Sequence, residues 1–227
     1  VDPVSQELRG VEALLRWRHA ERGSVSPVDF IPLLEETGLI VPVGEWVLEQ
    51  SCQQVQTWIA DGYSPIRMAV NLSPRQLMVP GLGRMVRGIL ERTGLQPELL
   101  ELELTETTAS LTMDAVIEVL HELHAIGITI AIDDFGIGHS WLGRLRQFPI
   151  QTLKIDRSFI HGMDQSAGDR AIVEAVVALG HAVDRAEEDG ALGIDVVVCV
   201  SEVPLCVERT EGVAGVDARA PGVQVGV

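Results

Sequence analysis

Short runs with strand character alternate along this chain with stretches of helical spacing, and that alternation restricts it to βα units built on a parallel sheet. Strands are expected over residues 10–17, 66–72, 99–105, 128–132 and 150–155, the third a clean Leu-Glu alternation. Between them, residues 27–38 read as a helix closed by Gly38, and residues 43–61 set Val47, Leu48, Cys52, Val55 and Ile59 on one stripe. Ser73-Pro74 has the cap and first-turn chemistry of a helix start. Further helices are expected at 82–93 with a Gly94 cap, at 114–126 ending on Gly127, at 139–147, and at 168–183. Polar residues recur toward the C-terminal part of the strands: Glu12, Asn71, Glu103, Asp133 and Lys154. A barrel gathers those strand ends on one face, where such folds carry their sites. Buried parallel strands are ordinarily apolar runs, so carboxylates there need a chemical reason.

The densest case is Ile128-Thr-Ile-Ala-Ile-Asp133-Asp134-Phe-Gly-Ile-Gly138. Side chains alternate faces along a strand. The two aspartates therefore cannot both continue the pattern, and they are expected where strand gives way to loop. Adjacent carboxylates repel unless a cation lies beside them, and hard cations such as Mg²⁺ take oxygen ligands. The same letters alone also fit an ordinary strand-to-turn junction.

Charge narrows the partners. Lys plus Arg total 17 against 33 Asp plus Glu, a net charge of −16. That argues against duplex nucleic acid or an anionic membrane, which are bound through a basic face. A phosphate-bearing small molecule stays open if metals or a few placed cations offset the charge. Cys52, Cys199 and Cys206, an odd set without a CxxC pair, fit neither a disulfide framework nor a zinc ribbon. A reducing cytoplasm is the expected setting. No apolar run reaches the ~18 residues of a membrane span, and the first residues lack the regions of a signal peptide. His121-Glu-Leu-His124 lacks zinc-protease spacing and reads as a solvated helix face. Gly136-Ile-Gly138 is no dinucleotide fingerprint, because Trp141 takes the third glycine's place.

The motifs Glu12-Ala-Leu14 with Leu15-Arg16-Trp17, Asn71-Leu-Ser-Pro-Arg-Gln-Leu77, Glu103-Leu-Thr-Glu106, Asp133-Asp-Phe-Gly136 and Lys154-Ile-Asp156 follow one another in this order. Together, over residues 2–183, they resemble the EAL-type cyclic diguanylate phosphodiesterase domain. The resemblance implies an α/β fold, a modified TIM-type (β/α)8 barrel with one strand reversed. It implies metal-dependent hydrolysis of cyclic di-GMP to the linear dinucleotide pGpG in bacterial second-messenger signalling. Glu12, Asn71, Glu103 and Asp133 would hold a first Mg²⁺ or Mn²⁺ ion. Asp133 and Asp134 would be shared with a second ion near Asp156, and ions about 4 Å apart clamp a phosphoryl group for in-line displacement. Glu12, Asp133 and Lys154 would form the catalytic set, with Lys154 beside the attacking water. Arg16 would contact the substrate phosphate through its guanidinium fork, and Glu106 would anchor the loop after Asp134. Plainer roles stay open for several of these residues: Glu106 as a helix cap, Arg16 as a surface partner of Glu12, Lys154 with Asp156 as a rim ion pair, and Asn71 as turn chemistry.

The chain also departs from the family. The opening Tyr-Gln-Pro-Ile strand and the closing Gln-Gly-Tyr strand are missing, so an incomplete barrel is expected. Uncovered edges would fit a truncated or frame-disrupted copy. Ile137, His139 and Trp141 replace Thr, Tyr and Ser in the loop after Asp134. Val198-Cys-Val-Ser-Glu202 stands where the family has Ala-Glu-Gly-Val-Glu. Cys199, a soft ligand poorly matched to Mg²⁺, thereby takes the place of a glutamate that helps hold metal and water. The expected organisation is a phosphodiesterase-like barrel over residues 1–183 and a divergent tail over 184–227 with one strand at 194–200. The rival to catalysis is a weak or inactive module that binds cyclic di-GMP or a protein partner. A homodimer, and sensory or GGDEF-type domains in a longer parent, complete the expected partners.

Overall fold

A computed structural model describes residues 8–110, 114–136, 147–186 and 195–198. Strand β1 (Gly10–Ala13) is followed by the hairpin strands β2 (Trp17–His19) and β3 (Gly23–Val25) and by helices α1 (Pro27–Thr37) and α2 (Ile40–Ala60). Then come β4 (Arg67–Asn71), α3 (Pro74–Leu77), α4 (Leu82–Thr93), β5 (Leu100–Thr105), α5 (Glu106–Ser110) and α6 (Asp114–Ala125). The chain continues with β6 (Thr129–Phe135), β7 (Thr152–Ile155), α7 (Arg157–Gly162), α8 (Ala167–Ala186) and β8 (Asp195–Val198). Six strands pair in the order β1-β4-β5-β6-β7-β8, every neighbour parallel. The expected α/β architecture is therefore what forms: an open arc of parallel strands among the described residues, with helices against it. A reversed strand is not among the described residues.

The sheet's two faces follow from its sequence. Leu100, Leu102 and Leu104 of β5, with Ile130 and Ile132 of β6 and Leu153 and Ile155 of β7, join the core cluster. That cluster also holds Leu48, Cys52 and Val55 of α2, Val86 and Ile89 of α4, and Leu120 and Leu123 of α6. Each such side chain contributes roughly 1.5–3 kcal/mol by leaving water. The alternate positions Glu101, Glu103 and Thr105 turn to the opposite, inner face. Burial pushes the Cys52 thiol up to about 12, with Glu49 adding to the effect, so Cys52 behaves as a small apolar filler.

Helix ends obey local chemistry. Gly38 closes α1 at φ 79° with its N–H on the Glu35 carbonyl, and Gly94 closes α4 with its N–H on Leu90. Ser73 and Gln76 form a reciprocal capping box at α3.

Four expectations shift. The strand read over 10–17 breaks after Ala13, and Trp17 starts a separate hairpin whose ring packs edge-on against His19 and Phe30. Those ring contacts hold Trp17 off the sheet. Asp133 and Asp134 do not follow the strand: β6 runs through both to Phe135, with a register shift between Ile132 and Phe135 and Asp134 at φ 55°. A bulge of this kind re-aims side chains within a continuing strand. The face of His121 and His124 is not merely solvated. His121 Nε2 meets the Gln147 carbonyl at 3.2 Å and His124 Nδ1 the Gln151 amide at 2.5 Å, tying the approach to β7 onto α6. The helix expected over 168–183 runs on to Ala186, and β8 pairs with β7 in the same sheet. The remainder of the expected tail and the 139–146 part of the expected short helix lie outside the described residues.

Candidate active site

Register brings the candidate side chains to one end of the inner face. Glu12 stands beside Ala69, Asn71 beside Glu103, and Thr105 beside Asp133. Glu12, Glu103 and Asp133 consequently offer carboxylate oxygens that all lie within 4.8 Å of one another. The Asn71 amide joins them, donating to Glu12 Oε1 at 2.6 Å. At the centre is Lys154, 5% exposed, whose ammonium lies 2.6 Å from Glu103 Oε1 and 3.5 Å from both Glu12 Oε2 and Asp133 Oδ1. It is thus buried among these carboxylates and does not sit at the rim.

Among the described residues one ammonium faces three carboxylates, which leaves the site short of positive charge. The deficit shows at Glu103, which is 1% exposed. Burial pushes its carboxyl up to about 8, against the pull of Lys154 and helped by Glu12 and Asp133. Its second oxygen, Oε2, is buried without a hydrogen-bond partner among the described residues. Carboxylates that converge, carry an orphaned buried oxygen and include an adjacent amide fit a divalent cation with hard oxygen ligands.

An acidic pair, Asp134 and Asp156, adjoins this cluster. Burial raises the Asp134 carboxyl to about 6, and Asp133 and Asp156 push the same way. Burial also works on Asp156, but the Ser158 hydroxyl and backbone N–H, with Asp134, hold it below the usual carboxylate range. Asp156 caps α7, accepting from the Ser158 N–H at 2.7 Å and from the Ser158 hydroxyl.

Glu106 opens α5, yet its carboxylate reaches across to accept the Gly136 N–H at 3.0 Å. Gly136 has φ 109°, and a Cβ there would stand 2.9 Å from the Phe159 ring, so the turn after Asp134 needs glycine. Arg16 lies on the link after β1. Its guanidinium donates to the Leu15 carbonyl at 3.1 Å, and it lines a cavity with Trp46, Gln50 and Ser51. Among the described residues it makes no ion pair, with Glu12 or otherwise. Ile137, His139, Trp141, Cys199, Glu202 and Cys206 lie outside the described residues.

The sequence matches the EAL domain family over residues 1–185. This chain belongs to the EAL domain family. The EAL domain is 48% identical over 171 residues to the bifunctional diguanylate cyclase/cyclic di-GMP phosphodiesterase MucR of Pseudomonas aeruginosa, covering 75% of this chain and 25% of that protein. It is 34% identical over 195 residues to the cyclic di-GMP phosphodiesterase PdeR of Escherichia coli, covering 82% and 29%. The chain spans about a quarter of the length of the curated relatives it matches. Among solved structures it is similar to the PaMucR phosphodiesterase in complex with c-di-GMP, with a TM-score of 0.75 at 44% identity over 83% of this chain and 73% of that one. It is also similar to the EAL domain of Mycobacterium smegmatis DcpA, at a TM-score of 0.60 and 37% identity over 68% and 66%. No helix among the described residues of this EAL domain is long and apolar enough to cross a membrane.

The sequence did not single out Glu101 or Thr152, both buried on the inner face. Nor did it show that Lys154 would be the hub of the carboxylates. The signal available for Glu101 was its position, two residues before Glu103 on an alternating strand.

Proposed function

We propose that this EAL domain hydrolyses one phosphodiester bond of cyclic di-GMP to linear pGpG, using Mg²⁺ or Mn²⁺. The observation that carries the reading is the orphaned, buried Glu103 Oε2 within a carboxylate cluster centred on Lys154. Glu12, Asn71, Glu103 and Asp133 would hold one ion, and Asp134 with Asp156 would bear on a second beside Asp133. When bound, such ions neutralise phosphoryl charge and acidify water. The chain's own residues orient the reaction. Lys154 donates hydrogen bonds at the point where the carboxylates converge, suited to aligning the attacking water and a phosphoryl oxygen. The water oxygen adds to phosphorus as the bond to the departing sugar oxygen breaks, and that oxygen leaves as a hydroxyl. Arg16 suits the neighbouring phosphate, since among the described residues its guanidinium is engaged by the Leu15 carbonyl and by no carboxylate. The barrel over residues 1–183 would be the catalytic unit, in the cytoplasm and within a longer signalling protein, with a second copy as a candidate partner.

The test is conversion of cyclic di-GMP to pGpG with Mn²⁺. Glu103→Gln is expected to lower turnover by ~100-fold or more, the usual weight of a placed acid–base or water-orienting group. Cys199→Glu is expected to raise it by a similar factor, because a carboxylate suits Mg²⁺ and Mn²⁺ better than a thiol. Product formation that is unchanged by Glu103→Gln, or that persists in EDTA, defeats the proposal.

Metal should also stabilise the fold, since a ligand that binds only the native state stabilises it by mass action. At 100 times the dissociation constant the gain is about 2.7 kcal/mol, read as a rise in Tm on adding Mg²⁺ or Mn²⁺. Glu103→Gln is expected to blunt the rise. Identical melts with and without millimolar metal would count against the site.

A further inference from the structure

Strand β5 reads Leu100-Glu-Leu-Glu-Leu104, a pattern that repeats itself every two residues. Sliding it by one residue would turn its leucines away from the core, but sliding it by two would not. After a two-residue slip the leucines still face the helices, and the backbone hydrogen bonds to β4 and β6 can re-form. Lys154 does not resolve the ambiguity, because in one slipped register Glu101 would face it in place of Glu103. The difference must come from a partner that recognises Glu101 where it now stands.

Two donors do. Arg67 Nη1 of β4 donates to Glu101 Oε2 at 3.1 Å, and Thr152 Oγ1 of β7 donates to the same oxygen at 3.0 Å. Glu101 and Thr152 are buried, and the Arg67 side chain is 39% exposed. In that register Glu101 has moved about 6.6 Å along the strand, beyond reach of both donors, and Leu99 takes its place, leaving a buried Thr152 hydroxyl to find another partner. Each member also precedes a site residue on its own strand: Arg67 precedes Asn71, Glu101 precedes Glu103, and Thr152 precedes Lys154.

We propose that Glu101, clamped by Arg67 and Thr152, is a positioning residue that fixes β5 in the one register placing Glu103 against Lys154 and the metal ligands. The metal part of its test rests on the reading of Glu103 under the proposed function. The register part does not.

The experiment combines a thermal double-mutant cycle in EDTA with Mn²⁺ binding. If Glu101 sets the register, Glu101→Leu also breaks the Lys154–Glu103 contact. Lys154→Met should then lower Tm by less than about half as much in the Glu101→Leu background as in the unmodified chain, a non-additivity typical of coupled residues. Mn²⁺ affinity, titrated well below Tm, should weaken by ~10–100-fold in Glu101→Leu, the range seen when residues supporting a ligand are removed. Glu101→Gln, which keeps an oxygen for Thr152, should recover most of that loss. If Glu101→Leu does not fold, Thr152→Val, which removes one donor at nearly constant shape, enters the same cycle and titration. Additive Tm shifts with an unchanged Mn²⁺ dissociation constant overturn the proposal, because a purely stabilising layer would lower Tm without touching either. Should the unmodified chain bind no Mn²⁺, the metal reading fails, and the EDTA cycle alone decides the positioning role.

Discussion

Lys154→Met is expected to lower the unfolding free energy by about 3–5 kcal/mol in EDTA, the cost typical of removing one partner from a buried ion pair. The ammonium is 5% exposed and lies 2.6 Å from Glu103 Oε1, with Glu12 and Asp133 at 3.5 Å. Methionine keeps the volume of the stem but supplies no charge, so the carboxylates lose the ammonium that faces them. A buried carboxylate left alone takes up a proton or drags water inward, and either response costs stability. The loss therefore belongs to the uncompensated charge more than to the broken contact. Glu103→Gln in the same chain should recover most of it, because an amide leaves no charge behind. Urea denaturation of the single and double variants reads both effects. A loss below about 1 kcal/mol, as for exposed pairs, would show that Lys154 is not the electrostatic hub. Turnover of cyclic di-GMP should fall in the same variant by ~100–10,000-fold.

Glu106→Ala is expected to cut Mn²⁺-dependent turnover by ~100-fold, the penalty for an active-site displacement on the order of 1 Å. Glu106 holds the Gly136 N–H at 3.0 Å, and Gly136 ends the turn that begins at Asp134, the single described non-glycine residue with positive φ. A left-handed aspartate in a strand bulge is strained, and it persists only where its surroundings enforce it. Without the Glu106 carboxylate the bulge should relax and carry Asp133 and Asp134 away from Glu12 and Glu103. Glu106→Gln keeps an acceptor for the N–H and should fall between the alanine variant and the unmodified chain. The readout is kcat and KM with saturating Mn²⁺. Full activity in Glu106→Ala would mean that the turn is held by its own packing, for instance by Phe159 against Gly136.

Much of this was written locally. The Leu-Glu alternation of β5, the glycine caps at 38 and 94 and the Ser73 box each depend on a few neighbouring residues, so element type and helix ends were legible without tertiary contacts. The ordered motifs from Glu12 to Asp156 likewise announced the family, and with it the strands that would bear the site. Other features were set by distant partners. The break after Ala13 depends on a hairpin and on Phe30, and the passage of β6 through both aspartates depends on a bulge against β7. Asn71 meets Glu12 across 59 residues, and Lys154 meets Glu103 across 51. Glu101 finds Arg67 across 34 residues and Thr152 across 51. Residue types and periodicity determine which face a side chain takes, because that is a property of one strand. Which carboxylates then converge on a single ammonium is a property of register and curvature shared among five strands, and only the folded sheet decided it.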